Sequence, residues 1–147
     1  PIGQRLRAQP WVVCTAADGE RRLPELMLAA MHEVPALWRL GLYIGTRRDE
    51  LAAGDLGLLI LTAPSPYAQG LLQDAMRVGT PLLAPDDWAA PHLHDGDTGF
   101  LYRAGDAGSL ALSLLALAHQ PAAQFTRIGE RARTAWQRGA APARTCP

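Results

Sequence analysis

The chain has 147 residues, 48% of them apolar, and its 14 basic and 14 acidic residues cancel to a formal charge of zero. This length predicts one domain with a hydrophobic core, and no apolar run approaches the ~20 residues of a membrane span. The balanced charge, without a long basic run, argues against a nucleic-acid partner. Cys14 and Cys146 lack neighbours at metal-ligand spacing, and no secretory signal pattern is visible, so we expect a reducing, cytoplasmic location.

The first third of the chain predicts two strands and two helices. A β-prone run at Trp11–Ala16 indicates a buried strand. A helix is predicted from Pro24 to Trp38, because apolar residues recur there at steps of three and four, although Pro35 introduces a kink or an early stop. A second strand ends at Gly45, and residues 46–55 have the composition of a short helix.

The remaining segments alternate between strand and helix length, with breaks at Gly or Pro. In order they are the strand LGLLILT, a helix Tyr67–Val78 stopped by Gly79, the strands PLLA and GFLYR, and helices Ser109–His119 and Ala122–Trp136. This alternation predicts an α/β fold, a doubly wound, Rossmann-like parallel sheet of about five strands with helices on both faces. We expect one domain over residues 1–137 and a disordered tail over 138–147, which is rich in Ala, Pro and Gly.

Ligands of such sheets bind beyond the carboxyl ends of the strands, and the loop after the first strand carries Arg21 and Arg22. Two guanidinium groups beside a helix N-terminus can hold a diphosphate, because the fixed cations and the free N–H groups both favour anions. A solvated arginine pair beside acidic neighbours is the alternative, and these residues by themselves favour it.

The loop SPYAQG leads into the helix that carries Asp74. A carboxylate one or two turns into this helix could accept hydrogen bonds from the hydroxyls of a ribose. An ordinary acid favoured by the helix dipole would give the same sequence pattern.

The segment DGDTG contains Thr98 and Gly99 and has the composition of a turn that starts a strand. His92 and His94 precede it, and with a nearby Asp they could hold a metal ion. Two histidines at this spacing are a weak signal, so we expect no metal site.

The amino-acid sequence of these segments resembles that of the C-terminal domain of the GT-B, family 4 type of retaining glycosyltransferase. Members typically carry a basic turn after the first strand, then "PS..EGFG...LEAMA.G.PVVA" and "DG.TGFLV.PGD...LA". This chain has APSPYAQGLLQDAMRVGTPLLAP and then HDGDTGFLYRAGDAGSLALSLLALA. The likeness runs from about Trp11 to Trp136 and rests on the two segments in this order.

The resemblance implies a role for seven residues. Arg21 or Arg22 stands where the family's Lys holds the donor diphosphate, and Asp74 stands where a glutamate binds the donor ribose. Gly70 and Leu71 would lie in the loop that approaches the donor sugar. Gln69 could stand in for the family's first glutamate, which contacts the donor hexose, if the loop is shortened by three residues. Thr98 matches the family's "TG" turn, which completes the set: Arg21, Arg22, Gln69, Gly70, Leu71, Asp74 and Thr98.

Several donor positions of the family differ in this chain. Pro66 occupies the position of the first glutamate of the E-x7-E motif, and the Gly-Gly and Glu after the fourth strand are replaced by Ala89, Ala90 and either Pro91 or His92. The expected function is a nucleotide-sugar donor-binding domain, with UDP or GDP as the nucleotide. Such a domain would serve a retaining, metal-independent glycosyltransferase of bacterial polysaccharide or glycolipid synthesis.

Without the N-terminal acceptor-binding domain of that family, the chain is expected to be inactive by itself. No cofactor other than the donor substrate is expected, and the parent protein could associate peripherally with a membrane. The alternative is a non-catalytic, glycosyltransferase-like module that serves protein interaction or regulation, because several donor-contact positions differ together.

Overall fold

The computed structural model describes residues 11–14, 24–35, 42–45, 57–62 and 64–145. Within these ranges strands and helices alternate. The strands are β1 (Trp11–Cys14), β2 (Leu42–Gly45), β3 (Leu58–Ile60), β4 (Leu82–Pro85) and β5 (Phe100–Tyr102). The helices are α1 (Glu25–Glu33), α2 (Pro66–Val78), α3 (Asp86–Ala89), α4 (Ala107–Ala118) and α5 (Ala122–Thr145).

The strands form one parallel sheet in the order β2-β1-β3-β4-β5. The register pairs Val12 with Tyr43 on one side of β1 and with Leu59 on the other. Further along the sheet, Leu59 pairs with Leu82, and Leu83 pairs with Phe100. The strand order reverses direction at β1, which is the arrangement of a doubly wound sheet and confirms the predicted fold class.

Successive side chains of β3 pack into two different cores, one on each face of the sheet. Leu58 and Ile60 are fully buried in a cluster with residues of α1 and α4. Leu59 and Leu61 are fully buried in a second cluster with residues of α2 and α5. Because both faces of β3 are covered, its sequence is an unbroken apolar run. Apolar and polar residues alternate along a strand only when one face of the sheet is exposed to solvent.

The predicted helix from Tyr67 to Val78 is present as α2, which begins one residue earlier. Ser65 caps its start, since the Ser65 Oγ accepts a hydrogen bond of 2.9 Å from the Ala68 N–H. At its end Gly79 has φ of 88°, the left-handed conformation that favours glycine, and its N–H donates to the Ala75 carbonyl. The stop at Gly79 was predicted from the sequence, whereas the cap at Ser65 was not.

Several sequence-based boundaries need correction. Helix α1 ends at Glu33 rather than continuing towards Trp38, because Pro35 disfavours helical geometry at Val34, whose φ and ψ are −128° and 86°. Helix α5 continues to Thr145, so the backbone is helical where a disordered tail was predicted from residue 138. The four-residue helix α3 was not predicted at all. The predicted helix at 46–55 lies outside the described residues.

Candidate functional site

The carboxyl edge of the sheet is the place where the chain leaves the parallel strands. After β3 it continues through Thr62 and Ser65 into α2, and after β4 it enters α3 directly. After β5 it passes Arg103 and turns into α4, which Asp106 caps through a 3.0 Å hydrogen bond from the Ser109 N–H. All these loops lie at one edge, because parallel strands end together.

The start of α2 projects polar groups from this edge. Gln69 is exposed in the first turn, and Gly70 is half-buried beside it. Leu71 is fully buried in the core formed with Leu59 and Leu61. Gly70 and Leu71 therefore belong to a helix rather than to the predicted loop, and the Leu71 side chain stabilises the core and is not presented to a ligand.

Asp74 lies one helical turn beyond Gly70 on the same side of α2, because residues four apart share a helix face. Its side chain is 26% exposed, and its Oδ1 lies 3.9 Å from an Arg77 nitrogen. At that distance and exposure the ion pair with Arg77 adds little stability.

Asp86 and Asp87 are exposed at the carboxyl end of β4, directly after the strand. The Asp86 Oδ1 accepts a 3.0 Å hydrogen bond from the Ala104 N–H, which ties the loop after β5 to the end of β4. Sequence reasoning did not identify these residues. Acids that follow Pro at the start of a helix are a recognisable signal, since they favour its positive end.

Tyr102 is buried under this edge and donates a 2.8 Å hydrogen bond to the Leu61 carbonyl. Burial raises the pKa of the Tyr102 hydroxyl well above its usual value, and the nearby Asp87 carboxylate raises it further. The hydroxyl therefore stays protonated and keeps donating. Asp87 adds negative potential to an edge at which the predicted ligand would itself be anionic.

Thr98 is at the opposite edge of the sheet. It belongs to the turn that precedes Phe100, the first residue of β5, whereas the loops at the start of α2 follow the end of β3. Thr98 is buried, and its Oγ1 accepts a 2.9 Å hydrogen bond from the His94 N–H. The structure therefore separates Thr98 from Gln69, Gly70 and Asp74, and gives its hydroxyl a role within the turn.

An open cavity of about 530 Å³ lies between this turn and α5. Its wall is charged and polar: His94, Asp97, Thr98, Arg127, Glu130, Arg131, Thr134, Ala135 and Arg138. Because these residues belong to the turn before β5 and to α5, the cavity is separate from the carboxyl edge. Sequence analysis singled out none of the α5 arginines.

Arg21 and Arg22, the predicted diphosphate contacts, lie outside the described residues. His92 and His94 are exposed at the turn before β5. Within the described ranges no group of three or more His, Cys, Asp or Glu side chains is placed to hold a metal ion. No helix in those ranges is long and apolar enough to cross a bilayer.

Several solved structures with a similar fold are glycosyltransferases. The structure of Anabaena HepE in complex with UDP and glucose superimposes with a TM-score of 0.64 at 16% identity, over 97% of this chain and 50% of HepE. Staphylococcus aureus TarM, solved with UDP among its ligands, gives 0.62 at 14% identity, over 87% of this chain and 32% of TarM. A Rickettsia africae glycosyltransferase gives 0.61 at 13% identity, over 88% and 43%.

These similarities define the class of fold and no more. No protein-family model matches the sequence, and no curated protein matches it. The chain has a glycosyltransferase-like fold, the Rossmann-like half of a GT-B architecture. It spans half or less of the length of these structures.

Proposed function

We propose that this chain is the nucleotide-sugar donor-binding domain of a glycosyltransferase that transfers a hexosyl group to a polysaccharide or glycolipid acceptor. The observation that carries the proposal is the position of α2. Its first turns project from the carboxyl edge of the sheet, where ligands of doubly wound folds bind. The UDP and UDP-glucose in the HepE structures, which share this fold, support a nucleotide sugar as the ligand.

In this proposal the residues of α2 hold the nucleoside half of the donor. The partly exposed Asp74 carboxylate accepts hydrogen bonds from the ribose hydroxyls. Gln69, exposed one turn nearer to the edge, offers an amide donor and acceptor to the sugar or phosphate. Arg21 and Arg22 hold the diphosphate and stabilise the charge that develops on the leaving nucleotide.

The proposed parent enzyme needs a second domain for its acceptor. The chain spans 50% of HepE and 32% of TarM, and the sugar has to be transferred to an acceptor held opposite the donor. We therefore assign turnover to the longer protein and donor binding to this domain. A retaining, metal-independent reaction of the family 4 type, in the cytoplasm, remains part of the proposal.

The test is an NMR titration of the 15N-labelled chain with UDP, UDP-glucose, GDP and GDP-mannose. We expect saturable shifts at residues 65–74. Asp74→Asn is expected to weaken binding about tenfold or more, because hydrogen bonds to a charged acceptor contribute about 1.5–3 kcal/mol. Arg21→Ala/Arg22→Ala is expected to weaken binding further.

Glu33→Gln is the matched control for Asp74→Asn. It makes the same change of charge at an exposed residue of α1, which packs on the other face of the sheet. Equal weakening by Glu33→Gln and Asp74→Asn would reject the assigned role of Asp74. The nucleotide that binds more tightly identifies the donor.

The second candidate function is a non-catalytic, glycosyltransferase-like module, and Asp86 and Asp87 favour it. Two exposed carboxylates at the carboxyl end of β4 repel a diphosphate, and the following Ala89 and Ala90 lack the amide-exposing glycines of the family. Absence of nucleotide binding at millimolar concentration, in a chain with a folded spectrum, would establish this alternative over the first.

A further inference from the structure

We infer that the cavity between α5 and the turn before β5 is a binding site for a phosphate ester. This site is distinct from the proposed donor site, because the cavity lies at the opposite edge of the sheet. The cavity has a volume of about 530 Å³, within the range of small-molecule sites and too large for a lone phosphate. Two features of the cavity support this assignment: its arginines and the rigidity of its wall.

The arginines of the cavity come from one side of α5. Arg127, Arg131 and Arg138, together with the Thr134 hydroxyl, are separated by four, three and four residues. At 100° per residue, these spacings place all four side chains within about 60° of each other around the helix. The opposite side of α5 carries the buried Phe125 and Ala132, so the packing of the helix directs these four side chains outwards.

The facing turn is held by its own hydrogen bonds. The Thr98 Oγ1 accepts from the His94 N–H at 2.9 Å, and the N–H groups of Asp97 and Thr98 donate to the His94 carbonyl at 3.0 Å. The Asp95 Oδ1 accepts a 2.9 Å hydrogen bond from the Leu101 N–H, which anchors the turn to β5. A wall built this way exists before a ligand arrives, which lowers the cost of ordering it.

Asp97 orients one of the arginines across the cavity. Its Oδ1 lies 3.5 Å from Arg131 Nη1, and both side chains are about half exposed, at 58% and 49%. Arg127 and Arg138 have no ion-pair partner among the described residues. The lining carries two carboxylates, Asp97 and Glu130, against three arginines, so its net charge is positive. The guanidinium groups of Arg127 and Arg138 are therefore available to an anion.

Phosphate oxygens match this set of groups. Guanidinium groups bind phosphate in a two-pronged geometry, and the Thr134 hydroxyl can donate a further hydrogen bond. The remaining volume accommodates a small polar body carrying the phosphate, with His94 and Glu130 as its neighbours. The same chemistry is offered by a soluble phosphate ester and by a phospholipid headgroup.

The experiment is an NMR titration of the 15N-labelled chain at low salt with inorganic phosphate, glycerol 3-phosphate and pyrophosphate. We expect saturable shifts at residues 94–98 and 127–138. Arg127→Gln and Arg138→Gln should each weaken binding about threefold, which is within the range that one exposed charge pair contributes. Arg133→Gln, an exposed arginine of the same helix outside the cavity, is the matched control and should leave the affinity unchanged.

The source of the phosphate is decided by sedimentation with vesicles of phosphatidylcholine, with and without 30% phosphatidylglycerol. Retention on the anionic vesicles that is lost in Arg127→Gln but kept in Arg133→Gln assigns a lipid headgroup. Soluble binding without retention assigns a free phosphate ester. Absence of saturable shifts at 20 mM of every soluble probe, together with no retention on vesicles, overturns the inference, as does equal weakening of soluble binding by Arg133→Gln. Circular dichroism of each variant confirms that it is folded.

Discussion

Gly129 allows the backbone of α5 to touch the end of α2. A Cβ at residue 129 would overlap the carbonyl oxygen of Gly79 and lie 3.1 Å from its carbonyl carbon. We expect Gly129→Ala to reduce the free energy of unfolding by about 2 kcal/mol or more, because overpacking outweighs the gain in helix propensity. Urea denaturation measures the effect.

Gly139→Ala is the control for this substitution. Gly139 lies in the same helix, and a Cβ there would meet no atom within 4 Å. The same change should therefore raise the free energy of unfolding by about 0.5–1 kcal/mol. Equal effects of the two substitutions would contradict the contact between the two backbones.

Tyr102 compensates for a proline in the sheet. The Leu61 N–H donates to the Leu83 carbonyl, and in this parallel register the Leu61 carbonyl would accept from residue 85. Residue 85 is Pro and has no N–H, and the Tyr102 hydroxyl donates to the Leu61 carbonyl instead. Tyr102→Phe leaves this carbonyl unpaired and should cost about 1–2 kcal/mol at pH 8.

The same hydroxyl predicts a loss of stability at high pH. Because burial and Asp87 raise its pKa in the folded state, the unfolded chain releases the proton first. The stabilisation is complete below about pH 10, the usual tyrosine value, and decreases as pH rises above it. The difference in unfolding free energy between the wild type and Tyr102→Phe should shrink by about 1 kcal/mol between pH 8 and 11. A constant difference would reject the raised pKa.

At the scale of elements, the start of α2 depends on its Ser65 cap. Ser65→Ala removes the hydrogen bond from the Ala68 N–H and should reduce the free energy of unfolding by about 1 kcal/mol. Ser113→Ala, within α4, removes a hydroxyl from a helix interior and should be neutral or slightly stabilising. Thermal unfolding of the two variants tests this prediction. A loss of stability of equal size in both would refute the capping role of Ser65.

Helix α5 joins the two cores of the molecule. Phe125, at its start, packs in the cluster of α1 and α4 and meets Phe100 with ring centroids 5.9 Å apart. Ala132, two turns later, packs in the cluster of α2. Phe125→Ala should cost about 3–5 kcal/mol and lower the cooperativity of urea unfolding, because it loosens the link between the clusters. If the free energy of unfolding falls by this amount but the cooperativity is unchanged, Phe125 contributes packing alone and does not link the clusters.

At the scale of the whole molecule, one sheet separates two groups of polar residues. Loops after β3, β4 and β5 meet at the carboxyl edge with the proposed donor site, and the turn before β5 lies at the other edge with the arginine cavity. The chain is half the length of HepE or less. We expect the isolated chain to release no UDP from UDP-glucose above the uncatalysed rate, which a coupled UDP assay measures. Measurable hydrolysis would place the complete catalytic machinery in this half.

The amino-acid sequence alone determined most of the elements and their alternation, since apolar run length and helix stops such as Gly79 act through neighbours in the chain. It also contained the signals of the fold class, because a strand apolar on both faces has to be covered on both sides. It could not assign Thr98 to an edge of the sheet, Leu71 to the core or the arginines of α5 to one cavity wall. Those positions depend on strand order and helix packing, which bring together residues far apart in the chain, and only the tertiary structure decides them.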